Sequence, residues 1–244
     1  MRHFFTLILL ILSFLSQTGR LLAQTYPRHE IINLSEKDFR LNSEGRTLMT
    51  RIQLPWAQHN PQRGWALAWP ASLEKVWTRA SDGERWQVLP ADGHYSTPQQ
   101  QMSSLYFVGS EQETLEIALP ADQADRIAQM RFFITDPGVT QKRGSGAHTR
   151  QDTCLCPEPP YEGRLDWCPA GNCPPDPTPQ PTDLTHLIVH HSAGINVSND
   201  WPAIVRSIWD FHVNFNGWDD IGYNWLIDPN GELYEGRGAG FQGA

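Results

Sequence analysis

Residues 184–237 constrain the fold of this chain more than any other stretch. The apolar run at 187–189 precedes His190 and His191, and a short apolar run between polar residues predicts a buried strand. Because successive side chains of a strand point to opposite faces, only one of these two histidines can face a given site. The strand is therefore expected to present a single histidine to that site.

A helix is expected after this strand. Asp200 is a suitable N-cap, and Pro202 falls in the first turn, where its missing N–H does no harm. Apolar residues then recur at three- and four-residue spacing and form one stripe: Trp201, Ile204, Val205, Ile208 and Phe211. Asn214, Asn216 and Gly217 are expected to end the helix.

Residues 221–235 are expected to form a strand and a hairpin. The sequence predicts a strand at 221–227, a turn at the Asp-Pro-Asn-Gly of 228–231, and a returning strand at 233–234. The order of elements is then a strand that ends in histidine, a helix, a strand that carries Tyr223, and a hairpin.

The same residues resemble a known family. The motifs HHSAG, DFHVN, GWDDIGYNWLI and GELYEGRG are similar, in order and spacing, to those of the peptidoglycan recognition protein and type-2 N-acetylmuramoyl-L-alanine amidase family. The resemblance covers residues 161–244, where Arg164 and Trp167 match the opening of the family's domain. It implies an α/β fold with a central mixed sheet and flanking helices. It also implies hydrolysis of the amide between N-acetylmuramic acid and the first L-alanine of the peptidoglycan stem peptide.

By this resemblance, His190 is a zinc ligand, and Tyr223 orients the metal-bound water or stabilises the oxyanion. Zinc lowers the pKa of its bound water to about 7 and polarises the scissile carbonyl. The alternatives are a hydrogen-bonded core histidine and a half-buried strand tyrosine. His191 is expected to face the other side of the strand.

Substrate-binding positions follow from the same resemblance. His212, Gly217 and Trp218 match positions that line the groove for the stem peptide. The glycine–tryptophan pair resembles the variants that accept meso-diaminopimelic acid as the third stem residue. Arg237 is a candidate partner for a stem carboxylate. The alternatives are an ordinary core role for Trp218 and an exposed structural role for Arg237.

The family's other two zinc ligands, a histidine and a cysteine or its replacement, follow the position that matches Ala244. Because one histidine cannot hold a catalytic zinc, residues 161–244 are expected to be only the N-terminal part of the domain, or a relative that has lost its metal. The prediction is therefore a zinc-dependent amidase in the intact parent and an inactive fragment. The alternatives are a peptidoglycan-binding or sensing protein and, more weakly, a structural envelope protein.

Residues 25–136 are predicted to form an all-β, sandwich-like domain of unknown function. Apolar and polar residues alternate at 48–54, 65–69, 115–119 and 130–134, and Ser-Asp-Gly at 81–83 predicts a hairpin turn. The tryptophans here are expected in the core, with an exposed sugar-binding face as the alternative. Residues 137–160, rich in small and charged residues, are expected to be a linker.

Residues 1–24 are expected to be a signal peptide. A basic start precedes an apolar run at 4–15, which is shorter than the roughly 20 residues of a membrane span, and a cleavage point follows at Ala23. The mature protein is therefore expected in a bacterial periplasm or outside the cell, without a stable membrane span. An uncleaved anchor is the alternative. The net charge of −8 argues against a nucleic-acid partner.

Two disulfides are expected, because an exported chain carries an even number of cysteines: Cys154, Cys156, Cys168 and Cys173. Three pairings are open. The pairing of Cys154 with Cys156 is disfavoured, since a spacing of one residue would strain the bond. A four-cysteine zinc knuckle is the alternative, although such sites usually contain two Cys-x-x-Cys pairs.

Overall fold

The structure is a computed structural model that describes residues 26–56, 62–80, 85–109, 111–140 and 159–243. The expected signal peptide, the turn at 81–83 and two of the cysteines, Cys154 and Cys156, lie outside these residues. Within them the chain is mostly sheet with few helices. None of the helices in these ranges has the length and apolar character that crossing a bilayer requires.

Ten strands occur before residue 137 in the described ranges. In chain order they are β1 (Arg28–Asn33), β2 (Arg40–Leu41), β3 (Thr47–Gln53), β4 (Arg63–Pro70), β5 (Trp77–Arg79), β6 (Gln87–Val88), β7 (Gln100–Met102), β8 (Tyr106–Val108), β9 (Thr114–Pro120) and β10 (Arg131–Asp136). One sheet has the order β1-β10-β4-β7, with β8 also on β4, and the other has the order β2-β3-β9-β5-β6. Short 3-10 helices at Glu36–Asp38 and Ala121–Gln129 complete this region.

The strands predicted from alternating residues are confirmed at β3, β4, β9 and β10. Strands β5 and β6 pair antiparallel, with Trp77 opposite Val88, as expected for the two arms of the predicted hairpin. The two sheets face each other across a core that includes Trp65, Trp69 and Phe132. These two tryptophans are therefore core residues, as predicted, and not part of a sugar-binding face.

Strand β4 is buried along its whole length, because other elements cover both of its faces. Trp65 and Trp69 lie in the core between the two sheets, whereas Ala66 and Ala68 belong to a second core on the opposite face. Strand alternation produces this division. The small alanine side chains let a helix approach this second face closely.

The second core joins the first sheet to the C-terminal region. Helix α1 (Arg164–Trp167) and helix α2 (Trp201–Asp210) contribute to it, and α2 continues into a π-helical turn at Phe211–Phe215. Phe133 of β10 stacks on Phe215 with 5.0 Å between ring centroids. The predicted helix and its apolar stripe are confirmed, and the Asp200 carboxylate accepts a hydrogen bond from the Ala203 N–H at 3.1 Å.

Arg206 of α2 is a buried arginine that binds main-chain carbonyl groups. Its guanidinium donates to the carbonyls of Pro137 at 2.6 Å, Gly138 at 2.8 Å and Trp167. Burial lowers the pKa of Arg206 to about 10, so the side chain stays charged at neutral pH. Composition predicts a linker at residues 137–138, but these two residues are buried in the structure. The reason is that they contact α2 through their carbonyl groups rather than through apolar side chains.

The predicted C-terminal hairpin is confirmed as β11 (Trp225–Ile227) paired antiparallel with β12 (Leu233–Glu235). Strand β11 begins at Trp225 and not at residue 221, because the main chain of residues 222–223 makes hydrogen bonds to residues outside β12. The Gly222 N–H donates to His212 Nδ1 at 3.0 Å, and the Tyr223 carbonyl accepts from the Arg237 N–H at 2.9 Å.

The strand predicted at 187–189 is absent from the described residues, so that prediction is wrong for this structure. The side chains of Leu187, Ile188 and Val189 are 83%, 82% and 84% exposed. A strand is held by hydrogen bonds to a neighbouring strand, and none of the described segments supplies a ladder here. The central mixed sheet implied for residues 161–244 stays a prediction. In its described residues this region contains the hairpin and two isolated bridges, a parallel one between Glu162 and Tyr234 and an antiparallel one between Pro181 and Phe241.

A disulfide joins Cys168 to Cys173. This bond excludes a four-cysteine zinc knuckle. Of the three possible pairings of the four cysteines, only the one that also joins Cys154 to Cys156 contains this bond. That pairing was disfavoured on spacing, and those two cysteines lie outside the described residues. The disulfide closes a short loop directly after α1, next to the buried ring of Trp167.

An ion pair between His29 of β1 and Asp210 of α2 links the first sheet to the helix. His29 Nδ1 lies 2.9 Å from a carboxylate oxygen of Asp210, which is buried and also accepts hydrogen bonds from Thr135 and Asn214. The hydrogen bond to Asp210 raises the pKa of His29 above its ordinary value, against the opposing effect of burial.

Replacement of His29 by glutamine should remove a pH-dependent part of the stability. Because the folded-state pKa of His29 is raised, its stabilising effect is full below the unfolded pKa of about 6.5 and is lost as the pH rises through the folded pKa. We expect the gap between the urea midpoints of the two proteins to be constant below about pH 6.5 and to close as the pH rises above that value. His186→Gln is the matched control, since this exposed ring contacts its neighbour Thr185. A constant gap between wild type and His29→Gln would contradict the prediction.

Candidate functional site

A cleft of about 520 Å³ lies between the N-terminal sheets and the C-terminal region. Residues 90–95 and Ser104 form the N-terminal wall. The opposite wall contains residues 190–193, His212, Trp218, Gly222 and Tyr223. The cleft therefore combines residues of the C-terminal motifs with a loop that precedes β7.

Four of the predicted site residues border this cleft: His190, His212, Trp218 and Tyr223. The ring centroid of His212 lies 4.6 Å from that of Trp218 and 5.6 Å from that of Tyr223. The rings of His190 and Tyr223 are 5.3 Å apart. Three separate segments thus bring these residues together: the extended chain after 187, the π-helical turn after α2, and the chain before β11. Their roles toward a ligand stay predictions.

Gly217 and Arg237 are not among the residues that line the cleft. Gly217 has a φ of 75°, which reverses the chain after the π-helical turn so that the Trp218 N–H reaches the His212 carbonyl at 3.0 Å. Arg237 Nε donates to the Ile221 carbonyl at 2.8 Å. Both residues therefore position the main chain of the cleft wall, and neither one borders the cavity.

A close main-chain contact fixes the segment that carries Tyr223. The Gly236 N–H donates to the Asn224 carbonyl at 2.9 Å, and the chain passes directly against Tyr223. A Cβ atom at Gly236 would lie 2.1 Å from the Tyr223 carbonyl oxygen. The close approach of residue 236 to the Tyr223 main chain therefore requires glycine at position 236.

His212 is neutral, and its tautomer is fixed by its partners. The residue is 1% exposed, and burial, together with the nearby charge of Arg237, lowers its pKa to about 3. The Gly222 N–H donates to Nδ1 at 3.0 Å, so Nδ1 carries no proton. The ring proton is therefore on Nε2, which donates to the Tyr95 hydroxyl oxygen at 3.2 Å.

Tyr223 keeps its phenolic proton at neutral pH. Burial raises its pKa above the ordinary value of 10, although the neighbouring Tyr95 side chain acts in the opposite direction. A protonated phenol beside a cleft can donate a hydrogen bond to a ligand oxygen. This property suits the role that the resemblance assigns to Tyr223.

The N-terminal wall was not predicted from the sequence. The ring of Tyr95 meets that of Phe211 edge-on at 5.0 Å and lies 5.8 Å from that of Trp218. His94 stacks on His190 with 5.4 Å between centroids. Tyr95 and His212 are 117 residues apart in the sequence, so no local pattern could have paired them.

Both adjacent histidines border the cleft, so the expectation that only one faces the site is wrong. That expectation assumed a strand, in which successive side chains point to opposite faces, but residues 187–193 do not form a strand. His190 Nδ1 lies 3.0 Å from the carbonyl oxygen of His191, and His191 Nδ1 accepts from the Ala193 N–H at 3.1 Å. The positive φ of Ala193, 56°, turns the chain after them.

The described residues do not by themselves fit a catalytic zinc site. Such a site usually has three protein ligands and one open position. Across the described ranges there is no group of three His, Cys, Asp or Glu side chains that could hold a metal ion. His190 has its Nε2 atom available for one bond, and its Nδ1 is engaged by the main chain.

Part of this chain is similar to curated proteins. Peptidoglycan-recognition protein SC1a of Drosophila melanogaster is 41% identical over 63 residues, which are 25% of this chain and 34% of that protein. Human peptidoglycan recognition protein 3 is 31% identical over 112 residues, 39% of this chain and 30% of that protein. An N-acetylmuramoyl-L-alanine amidase of Sus scrofa is 38% identical over 72 residues, 28% and 12% of the two chains.

These relatives confirm the resemblance that the motifs indicated. The chain spans about a third of the length of the two recognition proteins and a smaller part of the amidase. All three relatives come from animals, so they do not bear out a bacterial origin. No family model matches the chain, and no solved structure matches it.

The protonation state of His212 gives a test of the site geometry. Its nitrogen NMR signals should show the neutral ring with the proton on Nε2 from neutral pH down to about pH 4, because burial lowers its pKa to about 3. The folded-state pKa lies below the unfolded value, so stability should fall as the pH drops below about 6.5. A His212 titration centred near 6.5, in protein that circular dichroism shows to be folded, would contradict this arrangement.

Proposed function

We propose, from the premise that the C-terminal region is related to the peptidoglycan recognition protein and type-2 amidase family, that this protein binds peptidoglycan in the cleft. The proposed ligand is a muramoyl peptide, that is, N-acetylmuramic acid with its stem peptide. The observation that carries the proposal is that His212, Trp218 and Tyr223, which match functional positions of the family, border one cavity.

The chemistry of the cleft supports a ligand of this kind. Trp218 and Tyr95 offer ring surfaces, against which the C–H groups of a sugar or an alanine methyl group can pack. Tyr223 supplies a hydroxyl donor, and the carboxylate of Asp92 also borders the space. A muramoyl peptide carries both carbonyl acceptors and amide donors, so it can satisfy both kinds of group.

The third stem residue is proposed to be meso-diaminopimelic acid. The support is the Gly217–Trp218 pair, which resembles the diaminopimelate-accepting variants of the family. In the structure the positive φ of Gly217 sets the position of Trp218, so the two residues act on the cleft together.

Export is part of the proposal, because peptidoglycan lies outside the cell membrane. The expected signal peptide at residues 1–24 would direct the chain there. Periplasmic and extracellular destinations are both compatible with this ligand.

Binding is tested by calorimetry with defined muropeptides. Trp218→Ala should weaken binding at least about tenfold, since a buried aromatic contact contributes on the order of 1.4 kcal/mol or more. Trp86→Ala is the matched control, because Trp86 stacks on Arg79 in the second sheet and does not border the cleft. A diaminopimelate-type peptide should bind more tightly than its lysine counterpart. Equal loss of binding in both tryptophan variants would contradict the assignment of the cleft.

Hydrolysis of the muramoyl–L-alanine amide is a second candidate function. It is favoured by the similarity to an N-acetylmuramoyl-L-alanine amidase and by the position of His190 beside Tyr223. In such a reaction the Tyr223 hydroxyl would donate to the oxyanion that forms at the scissile carbonyl. His190 is proposed as a zinc ligand, but the described residues supply too few further ligands, so no step is assigned to the ion.

Because the described residues hold no group of three metal-binding side chains, this chain is expected neither to retain stoichiometric zinc through dialysis nor to release stem peptide from muropeptides. Metal analysis and chromatography of the products check both points. A zinc-dependent amidase would instead release peptide in a chelator-sensitive way and would lose activity in His190→Ala but not in His186→Ala. That result would place hydrolysis ahead of binding as the function of this chain.

A further inference from the structure

The cleft has an acidic side chain in its lining but no lysine or arginine. Among the described residues that border it, Asp92 is the single carboxylate, and none is Lys or Arg. Arg237 does not border the cavity, and its Nε donates to the Ile221 carbonyl at 2.8 Å. The permanent charge of the lining at neutral pH is therefore negative, which favours a cationic group of a ligand over an anionic one.

Asp92 is held in place both at its main chain and at its carboxylate. Its N–H donates to the Met102 carbonyl at 2.7 Å, and its carbonyl accepts from the Ser96 N–H at 3.0 Å. One carboxylate oxygen accepts from the His94 N–H at 2.9 Å, and the other accepts from the Ser104 hydroxyl at 2.5 Å. Because the group is already ordered, little conformational entropy is lost when a ligand binds to it.

The Asp92 carboxylate can accept further hydrogen bonds. An ionised carboxylate has about four lone-pair sites on its two oxygens, and the structure places one donor on each oxygen. Both donors are neutral, so they do not balance the charge. The residue is half-buried, and salt screens a charge in such a position less than one on an open surface. An ammonium group, with three donors and a positive charge, is the ligand group that suits this carboxylate best.

We propose that Asp92 is a specificity-determining residue that binds the free ammonium group of the third stem residue. The inference rests on the proposed function, because the ligand is the muramoyl peptide proposed above. In that ligand the free amino group of the third residue is the one cation, and the other polar groups are amides, hydroxyls and carboxylates. Asp92 precedes residues 161–244, so this selectivity comes from a part of the chain that the family motifs do not cover.

The two selective features of the cleft then act on different parts of the same residue. Lysine and meso-diaminopimelic acid both carry the ammonium group, so Asp92 selects a diamino acid at the third position. The Gly217–Trp218 pair is the feature proposed above to favour meso-diaminopimelic acid over lysine. Loss of Asp92 should therefore weaken the binding of both kinds of peptide.

Asp92→Asn removes the charge and keeps an oxygen that can accept from the His94 N–H. Calorimetry compares a muramoyl tripeptide that contains meso-diaminopimelic acid with the same peptide acetylated at its free amino group. We expect the variant to bind the free-amine peptide about tenfold more weakly, as for a lost hydrogen bond to a charged group, and to bind the acetylated peptide as the wild type does. The wild type should prefer the free amine by a similar factor, and added salt should reduce this preference.

Asp38→Asn is the matched control. The Asp38 carboxylate also accepts from a main-chain N–H and a serine hydroxyl, both of Ser35 and both at 2.8 Å, and it does not border the cleft. The two substitutions change the net charge of the chain equally. Equal weakening in both variants would mean that overall charge causes the effect, and it would overturn the role of Asp92.

The outcomes separate this inference from the proposed function. Wild-type protein that binds neither peptide would overturn both. Equal wild-type affinity for the two peptides would overturn the inference alone. An equal loss for the two peptides in Asp92→Asn would also overturn it, because that result indicates a purely structural role in the turn. If circular dichroism shows that Asp92→Asn is unfolded, the wild-type comparison decides: a salt-sensitive preference for the free amine supports the inference, and a preference that salt does not change overturns it.

Discussion

Strands β4 and β10 are covered on both faces, and the second sheet and helix α2 both pack against them. Trp65 and Phe132 pack toward the second sheet, while Ala66 and Phe133 pack toward helix α2. Burial of one large apolar side chain stabilises a fold by about 1.5–3 kcal/mol relative to its exposure. Loss of the helix would expose Ala66, Ala68 and Phe133, so packing of α2 is expected to stabilise the first sheet.

Buried polar groups fix the orientation that the apolar core alone would leave open. Asp210 accepts hydrogen bonds from both strand and helix residues, and Arg206 binds carbonyl groups of two separate segments, at Pro137 and Trp167. An unpaired buried charge costs several kcal/mol, so a helix that rotated or slid would leave these groups without partners. The cleft lies at the end of this helix, and its geometry follows from the same constraint.

Three hydrogen-bonding side chains of the candidate site, those of Tyr95, His212 and Tyr223, are neutral at physiological pH. His212 is held neutral by burial, and both Tyr95 and Tyr223 keep their phenolic protons because burial raises their pKa values. Such groups recognise amides and hydroxyls through the direction of the hydrogen bonds that they form rather than through charge. A muramoyl peptide carries many groups of this kind, which is consistent with the ligand that we propose for the cleft.

The sequence by itself determined the local elements. Helix α2, its Asp200 cap, the hairpin around Gly231 and strands β3, β4, β9 and β10 followed from periodicity and turn chemistry, which depend on neighbours in the chain. The motifs also identified His190, His212, Trp218 and Tyr223, which border one cleft. Tertiary structure alone decided whether 187–189 forms a strand, since pairing needs a partner strand that no local pattern specifies. It also decided that Tyr95 enters the site, because that contact joins residues 117 positions apart and arises only when α2 packs on the sheet.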